Sequence, residues 1–156
     1  MKLIASSSFA LSLMFVTQPA FAFSWTYLGQ SKELIGSTGE DEGDTDFRAA
    51  CRPGGKAEIG IGAAEGIGAG EGEAVSVRLA AGAQTLTIGG HSRKSPNFEM
   101  TAGVELQTVL DAKHALFRLL AEPGAIKVSG KTIKATWPAT DRAAATRAFV
   151  KTCFGG

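Results

Sequence analysis

The sequence predicts an α+β domain: an antiparallel β-sheet or sandwich-like β domain with two helices in its C-terminal half. Three observations lead there. Short segments of alternating apolar and polar residues fill much of the chain up to about residue 106, and period two marks a half-buried strand. Turns rich in glycine and proline separate those segments. Further on, apolar residues recur at helical spacing in two stretches, interrupted by two short strand-like runs.

The first 22 residues, MKLIASSSFALSLMFVTQPAFA, have the three parts of a secretory signal peptide. Lys2 supplies charge, Leu3 to Val16 is largely apolar, and Ala20-Phe21-Ala22 forms a small-residue cleavage motif. The apolar run is too short and serine-rich to span about 30 Å of hydrocarbon. No cysteine follows the cleavage motif to carry a lipid. The expectation is therefore a signal peptide over 1–22 and a single exported domain over 23–156, periplasmic or secreted, with no membrane anchor after cleavage.

From Phe23 onward, Phe23, Trp25 and Tyr27 alternate with Ser24 and Thr26, predicting a strand with one aromatic face. Gly36 to Asp46 is acidic and glycine-rich, a loop. FRAACR (47–52) predicts a strand ended by Pro53-Gly54-Gly55, and AEIGIG (57–62), AVSVRL (74–79) and TLTI (85–88) predict three more, the last two joined as a hairpin. HSRKSPN (91–97) reads as a polar turn. Phe98, Met100, Ala102, Val104 and Leu106 then alternate over a further strand. The period changes at Val109, and Thr108-x-x-Asp111 has the form of a capping box opening a helix that ends at Pro123-Gly124. Ile126 and Val128 predict a strand and TIKATW (132–137) another. Pro138 stops it, and Thr140 or Asp141 caps a final helix on which Ala145, Phe149 and Cys153 share one inward face.

Charge narrows the function classes. Removing the signal, whose only charged residue is Lys2, lowers Lys and Arg from 16 to 15 against 15 Asp and Glu. A neutral balance argues against nucleic acid, or an anionic membrane surface, as the main partner. The chain has two cysteines, Cys51 and Cys153. In an oxidising compartment an even pair forms a disulfide; two free thiols or a catalytic cysteine are the competing readings, and C-x-x-C spacing is absent. Closing a loop of about 100 residues is worth up to about 4.7 kcal/mol on the chain-entropy model.

Candidate sites are few. The acidic loop 40–46 offers carboxylates at Asp41, Asp44 and Asp46 to calcium, although the EF-hand order is absent and a solvated loop competes. His91, Arg93 and Lys94 form a basic cluster that can hold an anion, against the reading of a solvated turn. GIGAAEGIGAGEG (60–72) does not meet G-x-G-x-x-G and lacks the following helix that would aim its amides at a phosphate. His114 reads as a partly exposed helix residue with no orienting neighbour in sequence. Trp25 and Trp137 read as core. No metal or organic cofactor is expected, and no catalytic residue stands out.

The order of elements carries a resemblance. Trp25 in the first strand, Cys51-Arg52 ending a strand, FEMTAGVELQTVLDAKHALFRLL (98–120) and the terminal FVKTC (149–153) together resemble small periplasmic single-disulfide proteins. These include accessory proteins of type VI secretion and, more loosely, the invasion-associated locus B family. Those families place an apolar segment with a glycine before the last helix, where this chain has WPATDRAAA. The resemblance implies a non-enzymatic accessory role with no catalytic residues to carry over. The leading expectation is a binding module for a protein or cell-envelope component. The alternative is a small enzyme or anion carrier using His91, Arg93 and the acidic loop 40–46.

Overall fold

A computed structural model describes residues 23–38, 45–63, 67–96, 98–131 and 133–155. The expected signal peptide and positions 39–44 of the acidic loop, Asp41 and Asp44 included, lie outside the described residues. Nine strands form one antiparallel sheet: β1 (Ser24–Leu28), β2 (Glu33–Ser37), β3 (Phe47–Arg52), β4 (Lys56–Ala63), β5 (Glu71–Ala81), β6 (Gln84–Lys94), β7 (Val104–Asp111), β8 (Ile126–Ser129) and β9 (Lys134–Trp137). Their order is β1-β2-β3-β4-β7-β6-β5-β8-β9. The β5–β6 hairpin thus sits between β7 and β8, and the sheet is one continuous layer rather than a sandwich.

That layer curls into a half-barrel. Trp25 on β1 and Trp137 on β9, the two ends of the strand order, have ring centroids 5.7 Å apart, and Phe47 stands 5.5 Å from each. The Trp25 indole N–H also donates to the Pro138 carbonyl at 3.1 Å. Both tryptophans are buried, as their sequence setting predicts.

Alternation decides what lines the concave face. Phe47, Ala49, Ile59, Ile61, Leu106, Ile88, Val77 and Leu79 point inward and are fully or almost fully buried, while their strand neighbours form the outer face. Two helices cover the inside, α2 (Ala115–Ala121) and α3 (Arg142–Phe154). Leu116, Leu119 and Leu120 of α2 and Phe149 of α3 complete the core. Burying a leucine or phenylalanine contributes about 1.5–3 kcal/mol, so this inward set is what holds the helices on the sheet.

Four expectations are corrected. HSRK is strand rather than turn: β6 continues to Lys94, and the chain turns only after it, at Ser95-Pro96. The alternation from Phe98 to Leu106 hides a break, because Phe98–Thr101 is a short helical turn, α1. It is closed by Phe98 N–H to Ser95 and Ala102 N–H to Phe98, and Ala102 then takes φ 52°. The helix after Thr108 starts six residues later than the capping-box pattern suggests. Residues 104–111 pair with all eight residues of β4 and, at 104–107, with β6; a ladder on both sides overrides local periodicity. Asp111 makes a tight turn to the Lys113 amide at 2.9 Å, and His114 caps α2 by accepting the Leu116 N–H at 3.2 Å. At the last helix Asp141 holds the cap position, but with φ 59° and no hydrogen bond from its side chain. Strand β2, ELIGS, has no counterpart among the expected strands.

Candidate functional site

Cys51 and Cys153 form a disulfide, with Cα atoms 5.4 Å apart and 102 residues between them. Cys51 faces inward on β3 opposite Ala57, and Cys153 lies on the α3 face that carries Phe149. The link pins the end of α3 to the end of β3, third in the strand order.

The basic cluster divides between the two faces of β6, as strand alternation requires. His91 and Arg93 lie on the outer face, whereas Lys94 lies on the other side with its ammonium 4.4 Å from the centre of the Phe98 ring, a cation–π contact. His91 and Arg93 share a shallow groove of about 260 Å³ with Glu58, Gln107, Thr108 and Val109. His91 Nδ1 is 3.0 Å from the Gly72 carbonyl oxygen. Glu58 brings negative charge to the same groove and collects Arg52, Arg48 and the Gln107 amide. The groove therefore carries both signs.

Beside it, Glu105 is 3% exposed on β7, opposite Gly62 on one side and Arg93 on the other. Burial raises its pKa, Arg48 pulls it down and Glu58 pushes it up. A Cβ on Gly60 would stand 2.8 Å from its Oε2, so the glycines of β4 leave room for this carboxyl group.

Among the calcium candidates Asp46 alone is described, and its carbonyl accepts the Gly62 N–H at 3.0 Å. Among the described residues no three His, Cys, Asp or Glu side chains cluster to hold a metal ion. Three amides of the glycine-rich stretch, those of Ala69, Gly70 and Glu71, are taken by the protein's own side chains. Glu73 accepts the N–H groups of Ala69 and Glu71, and Ser92 Oγ accepts that of Gly70. Those bonds, the Ala69 amide foremost, hold the Glu73 carboxyl below its usual pKa. Side chains of β5 and β6 thus occupy amides that a phosphate would need.

Arg142 is the residue that sequence reasoning passed over. It is fully buried, and its five N–H groups all go to main-chain carbonyls. Nε donates to Leu120 at 2.9 Å, Nη1 to Pro138 at 3.0 Å and Trp137 at 3.4 Å, and Nη2 to Glu122 and Gly124 at 2.7 Å each. Burial lowers its pKa, yet a guanidinium keeps its charge in proteins. It ties together the end of α2, the end of β9 and the start of α3.

That tie orients the helix pair. Arg142 at the start of α3 meets the end of α2, while Phe154 at its end stacks edge-on with Phe117 at 5.0 Å, so the helices run antiparallel. Between them opens a groove of about 540 Å³ lined by Ala112, Lys113, His114, Phe117, Arg118, Ala121, Thr146, Arg147, Val150 and Lys151. Its floor is apolar and its rim carries four cationic side chains. Neither helix contains an acidic residue. The three ion pairs among the described residues all lie on the outer sheet face. Thr146, 1% exposed, has a hydroxyl with no hydrogen-bond partner.

Comparison of the chain with protein-family models, curated proteins and solved structures gives no match. Among the described residues no helix is long and apolar enough to cross a membrane.

Proposed function

We propose that this chain is an exported, non-catalytic accessory module of the periplasm or the extracellular space. It binds an anionic component of the cell envelope through the α2–α3 pair. One observation carries the reading: the groove of about 540 Å³ between α2 and α3 places Lys113, Arg118, Arg147 and Lys151 around an apolar floor with no carboxylate among its lining residues. Opposite charge and apolar contact are together what recognition of an amphipathic anion requires. The disulfide supports export, since such bonds persist in oxidising compartments. It also holds one wall of the groove, because it fixes the end of α3. The resemblance in element order to small periplasmic single-disulfide proteins points the same way.

The reading is tested by placing a photo-crosslinking residue at Lys113, on the groove rim, or at Val109, on the outer sheet face, and irradiating each with envelope extract. Adducts at 113 that high salt suppresses, with none at 109, are the expected result; salt suppression follows from screening of an ionic contact. Adducts confined to 109, or none at 113, would overturn it.

A further inference from the structure

We infer that the α2–α3 groove is a site for a single-chain amphipathic carboxylate, with its head between Arg118, Arg147 and Thr146 and its tail along Phe117, Val150 and Ala112. This rests on the reading of the helix pair as the binding surface and names the chemistry that fills it.

Three features select that class. The volume of about 540 Å³ suits a small ligand, and such pockets pair an apolar lining with a few placed polar groups. A protein partner instead needs about 800 Å² of contact on each side. The polar groups are unevenly spread. The antiparallel packing sets Thr146 and Arg147, one turn into α3, beside Arg118 and Ala121, toward the end of α2. Arg118, Arg147 and Thr146 all belong to the lining, and guanidinium matches a carboxylate in a two-point hydrogen bond.

The second observation is the Thr146 hydroxyl itself. A helical threonine ordinarily returns its O–H to the carbonyl one turn back, and a buried polar atom without a partner is uncommon. Here the hydroxyl is buried and unpaired, and Thr146 is one of the residues that line the groove. A carboxylate oxygen laid against it supplies the missing acceptor. The positions of Arg147 and Lys151 add to this. They stand four apart on α3 with no intervening acid, and such like-charged pairs weaken a helix. A bound anion relieves that repulsion.

The test uses the mature, oxidised protein and sodium decanoate, followed by amide NMR and calorimetry. The expected result is saturable binding that shifts amides of Ala112–Ala121 and Thr146–Lys151. Decyltrimethylammonium, with the same chain and opposite charge, should bind at least tenfold more weakly, and acetate, which lacks the tail, should not bind. Replacing both arginines (Arg118→Gln with Arg147→Gln) should weaken decanoate about tenfold or more. Thr146→Val should weaken it severalfold while leaving Tm unchanged or raised, because the substitution removes an unpaired hydroxyl and keeps the shape; a purely structural threonine would lower Tm and leave affinity alone. Equal binding of the cationic amphiphile, shifts mapping to the sheet, or insensitivity to both variants would overturn the inference. If decanoate fails while the Lys113 adducts persist, the carboxylate class falls and the binding surface stands. If both fail, the helix pair is not the binding surface.

Discussion

Substituting Arg142 by lysine keeps the charge and removes the fork. The guanidinium directs five N–H donors to five carbonyls, whereas an ammonium has three donors on a compact head. At least two carbonyls therefore lose their partner. Leu120 and Trp137 are buried residues, while Gly124 is exposed, so solvent can reach the Gly124 oxygen more readily than those two. A hydrogen bond to a charged donor contributes about 1.5–3 kcal/mol, and an orphaned buried acceptor costs about 1–3 kcal/mol. Two such losses give roughly 3–6 kcal/mol, a large part of a total stability of about 5–15 kcal/mol. Urea unfolding of the oxidised protein should show the midpoint fall with little change in slope. Amide exchange should speed first at Glu122 and at the start of α3. If Arg142→Lys unfolds within about 0.5 kcal/mol of the parent, the five-carbonyl tie is not a main support and the reasoning fails.

Replacing both cysteines by serine should lower stability by about 2–5 kcal/mol and accelerate amide exchange at Phe149–Cys153 before the rest of the sheet. Unchanged exchange there would show that packing alone secures α3. Glu105 gives a pH prediction. Burial raises its folded pKa above the unfolded value, so the native state holds the proton more tightly. Its contribution is fully present below the unfolded pKa and is lost as pH rises through the folded one. Glu105→Gln should therefore raise Tm at neutral pH and flatten the decline of stability above the ordinary carboxylate range; a Tm curve parallel to the parent's would contradict this.

Strand identity and the cysteine pairing were legible because their signals are local or few. FRAACR is short and apolar and AEIGIG alternates, each next to a proline–glycine turn, and two cysteines leave one intramolecular pairing. The β7 segment was not. Val109 and Leu110 fit a helix as well as a strand, and only the neighbouring edge of β4, which pairs with both, decides between them. The split of His91 and Arg93 from Lys94 follows at once from a strand, but HSRKSPN has the composition of a turn. Arg142 could not be found from sequence. In WPATDRAAA it looks like an ordinary first-turn arginine, and its role comes from carbonyls 4 to 22 residues away. Thr146 on α3 gives no signal either, since a helical threonine usually bonds its own backbone. The alanines and Lys151 around it suggest a plain helix face until α2 is laid alongside.

The disulfide also changes how the molecule carries force. Tension applied between Phe23 and the C-terminus passes from Cys51 straight to Cys153, so the 101 residues between them bear no load. Only the 28 residues from Phe23 up to Cys51 and the last three can be drawn out, about 110 Å of chain at roughly 3.5 Å per residue. With the bond reduced, the 134 residues from Phe23 to Gly156 would yield roughly 470 Å at the same spacing. What can peel is β1, β2 and β3 as far as Ala50. The sheet from β4 to β9 and both C-terminal helices, the groove between them included, sit inside a closed covalent ring that pulling on the ends cannot open.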